Sequence, residues 1–265
     1  MLIYLKHIIL FLILAAGLHI FSASASDKKR DLHISYPGIR FNAERDFAYS
    51  PLMYSGVQGS FTISYSVIKS NTSDLVFLNY TSGNNTNKFG SIMQVVTAGI
   101  QTYKFYHRMQ ETGNGFCLGW SNNNEFNTRE VEAVRNFNNR NEYFTSFGPA
   151  IRYRYPFTVF NRQVHFQTLA HLQLLGFKLQ SSYVTSLPPG FQESNTKGFR
   201  KFLNSIELFY PGSGLNVGIQ PTLMYELKSG NGLSISYRYD YLNIKGPHNV
   251  EKSRGTWSVG IITAL

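Results

Sequence analysis

In Leu233–Tyr241, LSISYRYDY, Leu, Ile and three Tyr fall on odd positions, and two Ser, Arg and Asp fall between them. Side chains on a β-strand alternate between faces, so this stretch has one apolar, aromatic face and one polar, charged face. Only two closed architectures suit such a strand. A soluble sheet turns the greasy face inward and the charges to water. A membrane barrel inverts this, with apolar residues toward lipid and charges toward the lumen.

The pattern recurs along the chain. Val57, Phe61, Ile63, Tyr65 and Val67 alternate with Gln58, Ser60, Thr62, Ser64 and Ser66. Tyr143, Phe147, Ile151, Tyr153 and Tyr155 share a face opposite Arg152 and Arg154. Leu215, Val217, Ile219, Leu223 and Tyr225 alternate with Asn216, Gly218, Gln220, Thr222 and Glu226. Trp257, Val259 and Ile261 repeat it near the end of the chain. These runs match or exceed the roughly 9–11 residues a tilted strand needs to cross a bilayer, whereas soluble strands average about 5–6. Val164–Leu179 is also long, but its greasy side switches at Leu175, Phe177 and Leu179, which points to a bulge or to a strand emerging from the membrane. Charged residues make up only 15% of the chain, against about 25% in ordinary soluble domains, and runs of helix-forming residues are absent.

The first residues have the pattern of a secretory signal peptide. Lys6 and His7 precede an apolar run from Ile8 to Phe21, and Ala23-Ser24-Ala25 supplies a small-x-small cleavage site. The expected division is a signal peptide over 1–25 and one exported domain over 26–265. Cys117 is the only cysteine, so no internal disulfide forms, and it reads as a small packed side chain on a strand. The net charge is +10. Its basic residues are dispersed rather than clustered, which argues against nucleic acid and suits loops that meet anionic headgroups or simply water.

Short connections are expected at Lys69–Asp74, Met109–Asn114, Thr158–Arg162 and Lys228–Gly232, the last a good hairpin turn. Longer polar connections are expected near 121–141, 181–214 and 244–255. Their alternation, with both termini at one end, gives an all-β, transmembrane, antiparallel up-and-down barrel of about ten strands. Gly198–Tyr210 is read as part of a long external connection. If Ile206–Tyr210 were instead a membrane strand, twelve strands would result. The Asn-rich segments Gly83–Asn87, Asn122–Asn124 and Asn136–Asn141 read as solvated loop surface, a candidate site for glycan or protein. Phe202, Leu203, Ile206, Leu208 and Phe209 form a hydrophobic side able to cap the external mouth or dock a partner.

Three stretches, YPFTVFNRQVHF at Tyr155–Phe166, TSLPPGF at Thr185–Phe191 and MYELKSGNGLSISYRYDY at Met224–Tyr241, together resemble an uncharacterised group of exported outer-membrane β-barrel proteins of Bacteroidetes-type bacteria. The resemblance covers roughly the C-terminal half. It implies the barrel fold and an outer-membrane location, and it brings no catalytic motif. The chain ends in Leu265, an apolar residue that keeps the alternating pattern read by the outer-membrane assembly machinery in a C-terminal strand.

In a barrel, the polar face at Leu233–Tyr241 puts Arg238 and Asp240 in the lumen. The same logic places Arg152, Arg154, His165, Gln167, His171, Gln220 and Glu226 there. A ten-stranded barrel is only slightly wider than the eight-stranded kind that side chains fill, so these residues are expected to pair and plug the interior. The functional alternative is a narrow selective pore, with the arginines attracting an anion. His165 and His171 lie about 20 Å apart along one strand face, too far to share a metal. No Gly-x-Ser-x-Gly or His-Glu-x-x-His motif is present, so no catalytic residue, metal or cofactor is expected. A structural, surface-binding or narrow-channel role in contact with outer-membrane lipid is the primary reading. The alternatives are a barrel hydrolase acting on lipid or peptide at its outer rim, and a soluble lipocalin-like barrel with its tyrosine face inward.

Overall fold

The computed structural model describes residues 29–47, 50–69, 71–106, 115–131, 139–180, 206–245 and 249–265. The expected signal peptide, the connection at Met109–Asn114 and most of the connection over 181–214 lie outside the described residues.

Twelve strands follow in order: β1 (Lys29–Asp46), β2 (Ser50–Ile68), β3 (Thr72–Thr86), β4 (Ile92–Tyr106), β5 (Gly115–Val131), β6 (Asn139–Val159), β7 (Arg162–Gln173), β8 (Leu175–Gln180), β9 (Glu207–Phe209), β10 (Gly214–Glu226), β11 (Gly232–Ile244) and β12 (Val250–Ala264). Each described neighbour pairing is antiparallel. The β1–β12 pairing joins the ends of the chain, and the β5–β6 pairing closes the ring. β6 pairs first with β7 and then with β8, so these two are one strand broken at Leu174. β9 pairs with β8 and β10 with β7, so they form a second interrupted strand. The wall is therefore a closed ten-stranded antiparallel barrel. Glu207–Phe209 adds strand without upsetting the even parity, because the chain makes a tight excursion at Tyr210–Ser213 and rejoins the same wall position.

The break at Leu174 is the expected bulge. His171 and Gln173 are buried before it and Lys178 after it, while Leu172 and Leu175 are both exposed, so the inward face changes from odd to even numbers. β1 contains a similar shift between Ser35 and Gly38: Ser35 faces inward on odd numbering, and Arg40, Asn42, Glu44 and Asp46 on even. A one-residue insertion reverses every later side chain, because the strand period is two.

Two structural ends result. One carries both described termini, the Lys69 N–Thr72 O bond between β2 and β3, and the turns at 160–161 and 227–231. Phe160 and Asn161 both have positive φ (48° and 58°), as a two-residue type I′ hairpin requires. Gly230 takes φ 82° in the Lys228–Gly232 turn. The link from β4 to β5 also falls at this end, because Thr72 of β3 pairs with Tyr106 and Tyr106 with Leu118. The other end carries the β1–β2, β3–β4, β5–β6, β8–β9 and β11–β12 connections, and here the sequence reading needs correction. Residues 121–131 and 139–141 are not loop but paired strand, and so are 250–255. Asn122 and Asn124 stand on the outer face of β5. Asn124 Oδ1 accepts from the Tyr143 hydroxyl (3.0 Å) and Thr145 Oγ1 (2.8 Å), and Thr128 Oγ1 donates to Asn141 (3.0 Å). These asparagines zip two strands together instead of solvating a loop. Asn85 is wholly buried in the lumen, another departure from the loop reading.

The exterior settles the orientation of the alternating pattern. Leu233 is 45% exposed while Ser234 is 5% exposed. Ile39, Phe41, Val57, Phe61, Leu118, Trp120, Ile151, Tyr153, Ile219, Leu223, Trp257 and Val259 are exposed around the wall. Such a continuous apolar belt costs too much in water and is what a bilayer solvates. The soluble lipocalin-like alternative fails here, because it requires the tyrosine face inside. Toward the loop end the aromatic residues acquire polar partners: the Tyr241 hydroxyl donates to Glu251 (3.2 Å), and that of Tyr239 lies 3.1 Å from Ser253 Oγ. This is the position of an interfacial girdle.

Ile235→Arg on the lipid face is expected to destabilise the barrel by about 2–4 kcal/mol. Lys245→Ala, at an exposed strand end, should stay within about 0.5 kcal/mol. Urea unfolding in lipid vesicles, read by tryptophan fluorescence, tests the contrast.

Candidate functional site

The lumen is layered. Nearer the turn end lies an apolar floor of Leu75, Phe77, Tyr103, Phe105, Cys117, Ala150 and Leu169. Tyr103 stacks on Phe105 with centroids 5.7 Å apart and meets Phe77 edge-on at 5.8 Å. Arg152 is only 2% exposed; its guanidinium lies 5.2 Å above the Phe105 ring, and its Nη2 is 3.8 Å from Cys117 Sγ. Cys117 is buried in this floor and, as the chain's only cysteine, is in no internal disulfide.

Above the floor, side chains from five strands form a charged belt. Arg254 on β12 holds Glu125 on β5 with two bonds, 2.5 and 2.8 Å. These strands are five positions apart in a ring of ten, so this ion pair spans the full diameter of the lumen. Arg129 on β5 bridges Asp46 on β1 and Glu142 on β6, each at 2.7 Å. Lys252, 1% exposed, also binds Glu142 from across the barrel. Asn127 Nδ2 donates to Glu125 (2.8 Å) and Glu142 (3.2 Å), and its carbonyl oxygen accepts from Thr97 Oγ1 (2.7 Å). Charges withdrawn from water are tolerated only when paired and hydrogen-bonded, and this belt meets that condition.

The expected lumenal residues divide into two groups. His171, Gln220, Arg238, Asp240 and Arg152 lie in the interior. Arg238 grips Asp240 at 2.6 and 3.0 Å. His171 Nδ1 is 3.1 Å from the Tyr103 hydroxyl and 3.4 Å from Gln101 Nε2, while its Nε2 lies 3.9 Å from Asp240. A Cβ on Gly218 would lie 2.2 Å from the His171 ring and 2.6 Å from Asp240, so glycine is what allows this approach. Arg154, His165, Gln167 and Glu226 lie toward the turn end. His165 Nε2 is 3.7 Å from Glu226, whose side chain is half exposed. The two histidines face different partners, and among the described residues no group of three or more His, Cys, Asp or Glu is arranged to hold a metal.

The belt residues Glu125, Glu142, Arg129, Arg254, Lys252 and Asp46, and the buried Glu44 and Arg40 beside them, are absent from the expected site. Their signal is the same alternation: Arg40, Asn42, Glu44 and Asp46 interleave with Phe41 and Ala43, and Glu125, Asn127 and Arg129 with Phe126 and Thr128. Treating 121–141 and 244–255 as loops conceals it.

Near the loop end, Phe209 enters the lumen and stacks on Phe144 at 5.3 Å, beside Leu242 and Ile244. It caps this side of the interior, as expected for the segment's hydrophobic face, while Leu208 points outward. Phe202 and Leu203 lie outside the described residues. Between cap and floor are two small polar cavities of ≈ 30 and ≈ 20 Å³, which share Arg40, Asn79 and Arg238 in their linings. Each has room for only one or two waters.

No protein-family model matches this sequence, and no curated protein sequence matches it. Solved structures contain similar chains. The translocator domain of autotransporter NalP from Neisseria meningitidis is 6% identical, with 97% of this chain and 95% of that chain covered and a TM-score of 0.40. The CymD monoaromatic hydrocarbon channel is 8% identical, over 91% of this chain and 89% of that one, at a TM-score of 0.34. Ail, the attachment invasion locus protein of Yersinia pestis, in complex with the heparin analogue sucrose octasulfate, is 9% identical, over 90% and 100%, at 0.30. What those proteins conduct or bind does not carry over to this chain. A closed barrel with an apolar exterior and a charged, buried interior is of the outer-membrane type.

Glu142→Ala leaves Arg129 and Lys252 short of a buried counter-charge and should cost about 3–5 kcal/mol. Asp74→Ala, which breaks the half-exposed Lys69–Asp74 pair, should cost about 0–1 kcal/mol. A double variant, Glu142→Ala with Lys252→Met, is expected to recover part of the loss in the same urea titration.

Proposed function

We propose that this chain is an outer-membrane β-barrel with a structural and surface-presenting role, sealed along its axis rather than open as a pore. The observation that carries this reading is the wall-to-wall Arg254–Glu125 ion pair, set between an apolar floor and the Phe209 cap. The surrounding voids of ≈ 30 and ≈ 20 Å³ are too small for a hydrated ion to pass. Arg152, His171, Gln220, Arg238 and Asp240 serve as packing and pairing groups of this plug, and Arg154, His165, Gln167 and Glu226 line its vestibule at the turn end.

That end faces the periplasm, since it carries the tight turns and both described termini. Residues 1–25 act as the cleaved signal for export, and β12 supplies the strand read by the assembly machinery. The three motifs of the C-terminal half favour membership in the Bacteroidetes-type group they resemble. The loop end presents the connections to the outside, where glycans or proteins would meet them.

Planar-bilayer recording tests the sealed reading. The purified folded protein should show no stable unitary conductance at moderate voltage. The charge-balanced double variant Glu125→Ala with Arg254→Ala removes the spanning pair and should produce discrete conductance steps. Faster gel migration before boiling than after would verify that each sample is a folded barrel. Steady conductance from the unaltered protein would overturn the proposal in favour of a narrow channel.

A further inference from the structure

We infer that the lumen holds a small monovalent inorganic anion, of halide size, against the guanidinium of Arg40. Arg40 is 6% exposed, deep in the barrel, and makes no ion pair among the described residues. Its two side-chain hydrogen bonds go to neutral acceptors: Nε donates to Thr256 Oγ1 at 3.2 Å and Nη1 to Thr81 Oγ1 at 3.1 Å. They use two of its five N–H groups. This contrasts with Arg129, Lys252, Arg254 and Arg238, each of which holds a carboxylate.

Arg40 stands between the two polar cavities and lines both. The smaller cavity, ≈ 20 Å³, is the more telling. Its charged lining residues are Arg40 and Arg238, with no Asp or Glu among its walls. Hydroxyls of Ser35, Ser60, Thr62, Ser236, Thr256 and Ser258 make up much of the remainder. Cations and hydroxyl donors around a carboxylate-free space are the chemistry of an anion site. The volume admits one species about as large as a water molecule, which suits a halide and excludes sulfate or phosphate. A water molecule would satisfy the donors but supply no counter-charge, and the two carboxylates that line the larger cavity beside Arg40, Glu125 and Asp240, are already engaged by Arg254 and Arg238. An anion satisfies the donors and supplies the charge.

Bromide is the probe. Crystals of the full barrel grown in sodium bromide should show an anomalous peak within about 3.5 Å of the Arg40 guanidinium, a hydrogen-bonding distance for a large anion. The temperature at which the fast-migrating folded form is lost should rise when bromide replaces gluconate at constant ionic strength. Arg40→Gln, which keeps a donor but not the charge, should abolish that rise. Absence of the peak in bromide crystals, or an equal rise in Arg40→Gln, would overturn the inference. Should Arg40→Gln not fold, the anomalous map of the unaltered protein decides alone. None of these readouts depends on whether the lumen conducts.

Discussion

The Arg254–Glu125 pair joins opposite walls of the barrel, and much of the interior is organised around it. A ten-stranded ring leaves a central space too wide for one side chain to fill, so long side chains must reach from both sides and meet. Two apolar groups meeting there would gain packing alone. A guanidinium and a carboxylate gain two directed hydrogen bonds that fix the distance between the walls. Once that distance is set, Arg129 can serve Asp46 and Glu142 together, Lys252 can reach Glu142, and Asn127 can link the two carboxylates. The belt thus fixes which strands stand opposite one another, a relation that backbone pairing between neighbours specifies only indirectly.

The layering gives the belt its strength. Below it, Phe77, Tyr103 and Phe105 exclude water; above it, Phe144 and Phe209 do the same on one side. Electrostatic attraction rises as the local dielectric falls, so these aromatic layers strengthen the ion pairs they enclose. The same exclusion raises the penalty for any charge left unmatched, and that makes the environment of Arg40 stand out from that of its neighbours.

The fold was legible in the sequence wherever alternation and strand length coincided. Leu233–Tyr241, Val57–Val67 and Leu215–Tyr225 carry the inverted pattern without interruption, and the switch at Leu175 marks the break between β7 and β8. The charged lumen was legible in part: Arg238 and Asp240 lie on a clean strand, and both lie inside. The belt was harder to see because its strands run on past the lipid. Above the bilayer, outward positions become Asn and Thr, so Asn122, Asn124 and Thr128 look like loop although they stand on β5. Composition there reports the solvent outside the wall and hides the periodicity that shows the wall continuing. Phe209 is a different case. A three-residue strand after a long connection has too few residues to show a period, and only its partners on β6 and β11 make it part of the lumen.

The extension of β5 and β6 has a mechanical consequence. From Ser121 to Val131 the strand advances ten steps, about 33 Å along its path and roughly 23 Å in height at a tilt near 45°. The asparagine ladder on its outer face and the buried ions on its inner face stiffen this rise into a pedestal. Whatever the residues between β5 and β6 contact is met at the top of that pedestal, clear of the lipid headgroups, and a pull applied there passes as shear through paired strands into the membrane.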